Sequence, residues 1–157
     1  MARRKRVYHK PNIRDSRYDS PLVARFINKI MERGKKSVAE RIVYAAIDKV
    51  NETTNTVDPL ETFSRAIENA KPRLEVKSRR VGGATYQVPL EISADRSEAL
   101  AMRWLINFAR SRKGTPMWSA LANELRDAAT GQGNAIRKRD DVHKMAQANR
   151  AFAHFRW

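Results

Sequence analysis

The sequence predicts a mainly α fold, a six-helix bundle with one protruding β-hairpin between helices three and four. Three observations lead there. Apolar residues recur at helical spacing in six separate stretches. One stretch, about residues 73–92, alternates with a period of two instead. Polar–proline pairs stand where three of the helices should open: Ser20-Pro21, Asp58-Pro59 and Thr115-Pro116.

The elements follow in order. Ser20 caps a first helix whose buried stripe is Leu22, Val23, Phe26, Ile27 and Ile30, and Gly34 stops it. A second helix puts Val38, Ala39, Ile42, Val43, Ala46, Ile47 and Val50 on one face. Asp58 and Glu61, at capping-box spacing, open a third helix carrying Phe63, Ile67 and Ala70, which Pro72 ends. In the hairpin, Leu74 and Val76 alternate with Arg73, Glu75 and Lys77, and Tyr86, Val88, Leu90 and Ile92 with Thr85, Gln87, Pro89 and Glu91. Gly82-Gly83 between them suits a two-residue turn that needs positive φ angles. Ser93 caps a fourth helix with Leu100, Ala101, Trp104, Leu105 and Phe108 inside. Thr115-Pro116 starts a fifth, with Trp118, Leu121, Ala122 and Leu125 inside, and Gly131-Gln132-Gly133 breaks it. A last helix carries Val142, Met145, Ala146, Asn149 and Phe152. A lone two-stranded hairpin is marginal in water, so its base must pack on the helices while the end around Arg79–Ala84 extends.

At 157 residues and 41% hydrophobic, the chain suits one domain with a real core. Thirty-two Lys and Arg against 17 Asp and Glu leave a net charge of +15. Such a field attracts polyanions, chiefly nucleic acid or an anionic membrane. No apolar run is long enough to span a bilayer. Met1–Arg6 is basic with no apolar stretch behind it, so no secretory leader is expected; its arginines leave a transit sequence open. The absence of cysteine removes disulfides, thiolate catalysis and Cys-based metal sites. His9, His143 and His154 are scattered without metal-ligand spacing, so neither a metal nor any other cofactor is expected.

Motifs for catalysis are weak. Gly131-Gln132-Gly133 follows a helix rather than a strand, and Ile136 stands where a dinucleotide loop wants its third glycine. Gly34-Lys35-Lys36-Ser37 ends like a P-loop, but Lys29 replaces the leading glycine. Asp140-Asp141 reads as a solvated pair, and no Ser–His–Asp set can be assigned. No enzyme is expected.

Binding is better supported. Basic residues gather in five clusters: the N-terminal segment, Lys35-Lys36, the hairpin, Arg110–Lys113 and Arg137-Lys138-Arg139. Each falls at a chain end, turn or helix terminus, where side chains reach phosphates. Any one cluster is ordinarily a solvated face; five together make that reading weak. Residues 1–19, with Arg3, Arg4, Lys5, Arg6, Lys10, Arg14 and Arg17, cannot offset their ordering entropy by burial. They are expected to form a flexible basic arm on a helical domain of residues 20–157. Phe26, Phe63, Trp104, Phe108 and Trp118 sit on apolar helix faces. Tyr8, Tyr18, Phe155 and Trp157 lie near the basic ends, where they are candidates for stacking on bases. For Phe155 and Trp157 a C-terminal plug on the core is an even alternative. The second helix lacks the polar face of a DNA-recognition helix, and Val81 alone is a poor apolar wedge for a DNA-bending arm. Dispersed patches suit a folded RNA better than a straight duplex.

Several stretches together resemble the small-subunit ribosomal protein seven family of bacteria and organelles. They are Ala2-Arg3-Arg4, Phe26–Met31 with Gly34-Lys35-Lys36, Lys71-Pro72-Arg73, Arg79–Gly83 with Tyr86–Pro89, Arg103-Trp104-Leu105, and Met145-Ala146 through His154. The resemblance runs end to end. It implies a structural protein that binds the 3′ major domain of 16S rRNA and starts assembly of the head of the small subunit. It further implies a hairpin near the exit-site tRNA and the mRNA path, and contact with ribosomal proteins nine and eleven of the same subunit. On it, the hairpin residues Lys77, Arg79, Arg80, Gly82, Gly83 and Tyr86 take the tRNA/mRNA side. Arg3, Arg4, Lys5, Arg6, Lys10, Lys35, Lys36, Arg110, Arg112 and Lys113 match its rRNA-facing regions in character, and Arg137 and Lys138 join them on charge. A cytoplasmic ribosome is the expected location, with an organellar ribosome left open. The alternatives are a DNA-binding architectural protein or repressor using the same hairpin, and an RNA-acting enzyme, which lacks a catalytic set.

Overall fold

A computed structural model describes residues 13–54, 58 and 60–155, and for Val81 and Phe155 the backbone alone. The order is α1 (Pro21–Ile30), α2 (Lys36–Thr54), α3 (Glu61–Ala70), β1 (Leu74–Val81), β2 (Ala84–Glu91), α4 (Ala94–Ser111), α5 (Met117–Ala129) and α6 (Asn134–Ala148), then a 3-10 turn, Arg150–Phe155. Six helices with one antiparallel hairpin between α3 and α4 is the architecture the sequence predicts.

The core is organised around α5. Ala120, Leu121, Leu125 and Ala128 are all essentially without solvent exposure. The small alanines let α2, α3 and α4 close on this helix, and α6 meets it from its start. Phe26 and Phe63 lock α1 to α3 edge to face, ring centroids 5.3 Å apart. Ile27, Ile47, Ile67, Met102 and Leu105 fill the space between.

Several local expectations shift. The hydroxyl of Ser20 accepts the Val23 N–H, as a helix cap should. But α1 ends at Ile30, and Gly34 turns the chain four residues later at φ +74°. Asp58 does not build a capping box. Its carboxylate accepts the N–H of Leu60, the N-cap of α3, in a tight Asx turn. Pro116, not Thr115, is the cap residue of α5, and Ser93 caps α4 without a side-chain bond. Val38 and Trp118, read as interior, are each 39% exposed, because α5 and α2 present those faces at the rim of the bundle. The last helix stops at Ala148, and Phe152 reaches the hairpin from the 3-10 turn instead. Met145 is exposed beside that bend.

The hairpin register is regular, from Leu74 opposite Glu91 to Val81 opposite Ala84. Gly82 and Gly83 take φ +56° and +89°, as a primed two-residue turn demands. The hairpin is fixed to the body at three points along its length. Val88 is fully buried. Arg96 of α4 donates through Nε and Nη2 to the Glu75 carboxylate at 2.8–3.0 Å. The Tyr86 ring lies 5.0 Å from that of Phe152. Lys77 is exposed opposite Val88, and past the Arg79–Tyr86 pair Arg80 and residues 82–85 are exposed, so only the tip stands clear of the body.

Replacing Phe26 with Ala removes half of the α1–α3 aromatic lock. The expected loss is about 3–5 kcal/mol in chemical denaturation, with the helical spectrum retained at low denaturant. A loss below about 1 kcal/mol would show that α1 is peripheral to the core.

Candidate nucleic-acid interface

The exposed cations sit where helices turn. Lys35 and Lys36 are exposed at the entry to α2, whose first turn holds no acid. Arg137 and Lys138 are exposed near the start of α6, again with no acid in its first turn. A helix N-terminus carries partial positive charge and disfavours cations. The lysine–glutamate pair Lys36–Glu40, 3.7 Å long and largely exposed, returns little. These cations therefore do not serve their own helices, whereas helix-start N–H groups together with lysines suit phosphate.

Arg110 joins two clusters. From the last turn of α4 it donates to the Ile30 carbonyl at 3.0 Å and pairs with Glu32 at 2.8 Å. It thus answers a carbonyl that the end of α1 leaves open. The 110–113 turn is fastened to the 31–35 turn, and Lys35, Lys36, Arg110 and exposed Lys113 share one basic edge. A shallow cleft lies along it, with Ile30, Val38, Ile42 and Met117 lining it and Lys35 and Arg110 at its rim.

Arg112 points the other way. Its Nη2 meets Glu124 Oε2 at 2.7 Å and Asp127 Oδ2 at 3.2 Å. Those carboxylates, Glu124 first, push the guanidinium further toward its charged form. Arg139 is half-buried against the Asn69 carbonyl and Asp140.

The predicted hairpin residues stand together. Lys77, Arg80, Gly82 and Gly83 are exposed, Arg79 is partly so, and Tyr86 is half-buried against Phe152. Arg3, Arg4, Lys5, Arg6, Tyr8, Lys10 and Trp157 lie outside the described residues, as does the side chain of Phe155. Tyr18, a stacking candidate by sequence, is instead packed at the edge of the core against Tyr44, 5.9 Å between centroids.

Two buried acids escaped sequence reading. Asp15 is 8% exposed and accepts the N–H groups of Arg17, Tyr18 and Ser20. Burial pushes its carboxyl up, but these donors outweigh burial and hold it below the ordinary 3.8. Beside it Arg17 makes a two-pronged pair with Asp48 at 2.9 Å and lies over the Tyr18 and Tyr44 rings. Residues 13–19, counted by sequence in the arm, are thereby tied to α2. Asp15 next to arginines reads as surface charge, and only the fold reveals the donors around it. Glu124 lies at an i+3 step from Leu121 on a helix face that also carries Leu125, and that was the available signal.

His143 of α6 accepts the Arg73 N–H at 3.0 Å, just before β1. Burial first, then the charges of Arg139 and Arg73, hold its pKa below the ordinary 6.5, with Asp140 opposing.

Exposed cations at helix turns and along a projecting ribbon give this helical body the character of a structural protein facing a polyanion. Comparison with known proteins makes this specific. Residues 2–150 match the family described as ribosomal protein S7p/S5e. A protein of Akkermansia muciniphila named small ribosomal subunit protein uS7 is 71% identical over all 157 residues of both chains. Proteins of the same name from Mycolicibacterium smegmatis and Protochlamydia amoebophila are 54% and 53% identical, again over the whole of both chains. The chain belongs to this ribosomal protein family, in its bacterial type, as a structural and non-enzymatic component of the small ribosomal subunit. Among the described residues, no helix is long and apolar enough to cross a membrane.

The His143 contact sets a pH dependence. A pKa depressed on folding means that the unfolded chain binds more protons, so this contribution is complete above about 6.5 and is lost as pH falls through the lower folded value. Asp15 acts with the same sign, but only below 3.8. Thermal midpoints should therefore fall between pH 7 and 5, and His143→Gln, which keeps an acceptor without titrating, should flatten that slope. An equal slope in the variant would assign the dependence to other groups.

Proposed function

We propose that this chain is a primary 16S rRNA-binding protein that nucleates assembly of the head, the 3′ major domain of the small subunit, with its hairpin near the exit-site tRNA and the mRNA path. The observation that supports this best is the placement of Lys35, Lys36, Arg137 and Lys138 at helix starts, where they oppose the local dipole and await an anionic partner. Arg110 and Lys113 extend that surface, and the residues 1–19 act as its arm, rooted on the body through residues 13–19. Ribosomal proteins nine and eleven of the same subunit are the proposed protein neighbours. The mechanism is electrostatic: cations on a rigid body and on a basic arm replace the counterions of converging RNA helices and hold them in one arrangement.

Filter binding with a 16S 3′-domain fragment and an equal-length DNA duplex at matched salt tests this reading. Stronger RNA binding is expected, with log affinity falling against log salt by about 0.7 to 0.9 for each phosphate neutralised. Equal affinity for the duplex would sink it in favour of an architectural DNA-binding protein.

The hairpin carries a separate expectation. Arg79→Ala with Arg80→Ala should leave the melting temperature and the affinity for the rRNA fragment near those of the parent, and impair tRNA or mRNA handling by reconstituted subunits. A large drop in the melting temperature of the free protein would make these arginines structural.

A further inference from the structure

Glu124 is the one fully buried acid among the described residues, and each of its oxygens holds a different basic cluster. Oε2 accepts from Arg112, the residue that closes α4 and precedes exposed Lys113. Oε1 accepts the N–H of Ala135 at 3.0 Å, on the first turn of α6 and just before exposed Arg137 and Lys138. Asp127 adds a second contact to Arg112, and its carbonyl takes the Gln132 N–H at 2.7 Å. Gly133 completes the enclosure. It sits at φ +92°, and a Cβ there would come within 3.2 Å of Asp127 Cβ and 3.3 Å of Glu124 Oε1.

Stability alone does not account for such an arrangement. A buried ion pair repays its desolvation only with good geometry, and an apolar pair of similar size often serves a core as well. What an apolar pair lacks is direction: two oxygens fix two partners in distance and angle at once. We propose that Arg112 and Glu124 are positioning residues, which set the spacing between the 110–113 turn and the start of α6 so that both meet the RNA together, and that Arg112 itself makes no phosphate contact. This rests on the RNA-binding reading above and assigns Arg112 a role that its charge and its neighbours do not suggest.

The test compares the parent chain with Arg112→Gln, Glu124→Gln and the double variant, in binding to the 16S 3′-domain fragment over a salt series. The double variant keeps a hydrogen bond between the two side chains and an acceptor for Ala135. Hydrogen exchange at the amides of Ala135 and residue 112, which bond Glu124 and the Ala109 carbonyl, is measured alongside in the free proteins and requires no RNA. Arg112→Gln is expected to weaken binding about tenfold with an unchanged salt slope, and to speed exchange at both amides. The double variant is expected to return to within about twofold of the parent, again at the parent slope, since a phosphate-contacting arginine would have taken about 0.7 to 0.9 from it. A slope lowered by that amount, with affinity still lost in the double variant, would overturn the proposal and make Arg112 a direct contact. Exchange unaltered at Ala135 in Glu124→Gln and in Arg112→Gln would also overturn it. If Arg112→Gln fails to fold, the slope and affinity of the double variant decide. Failure of the parent chain to prefer the RNA fragment would count against the binding reading, and the exchange data would still judge the positioning.

Discussion

Everything in this molecule hangs on the burial of α5. Its Leu121 and Leu125 face neighbours on several sides, and its alanines let those neighbours approach closely. Close packing of this kind tolerates little displacement, because a lost methylene or a gap is felt at once. A chain with a net charge of +15 has to be held compact against its own repulsion. The dense, largely aliphatic centre does so, and it leaves the cations to the periphery.

The periphery is organised by acids that each hold fixed partners. Asp15 gathers three backbone N–H groups and roots the chain's start. Glu32 and the Ile30 carbonyl take Arg110, Glu124 and Asp127 take Arg112, and Glu75 takes Arg96. Arginine suits this work, since its planar fork serves two acceptors at once, whereas the exposed edge is rich in lysine, a compact and well-hydrated charge. Arginines that build the surface and lysines that decorate it thus share short segments such as 110–113.

How much of this was legible in the sequence follows from the range of each interaction. Period and turn chemistry are local, so the six helices and the Gly82-Gly83 hairpin could be read directly, and so could the Ser20 cap. Helix ends depend on partners far away in sequence. Gly34 reads as the stop of α1, yet α1 ends at Ile30, where the guanidinium of Arg110 meets its carbonyl. Trp118 and Val38 match an apolar stripe in pattern, but at their end of the bundle the stripe is only partly covered. The basic clusters could be counted from the sequence. Which of their members turn inward could not, because that depends on where Glu124 and Asp127 arrive in space.

The hairpin is also a lever. Eight residues per strand at about 3.3 Å each make a ribbon of roughly 26 Å from base to glycine turn. It is held along most of that length, by the Glu75–Arg96 pair and the Arg73–His143 bond at the base, by buried Val88, and by the tilted Tyr86 and Phe152 rings nearer the turn. Past the Arg79–Tyr86 pair only about three residues per strand remain, roughly 10 Å, so a tilt of about 5° there carries the turn through about 1 Å. Side chains that never leave the body therefore decide where the far arginines can be found.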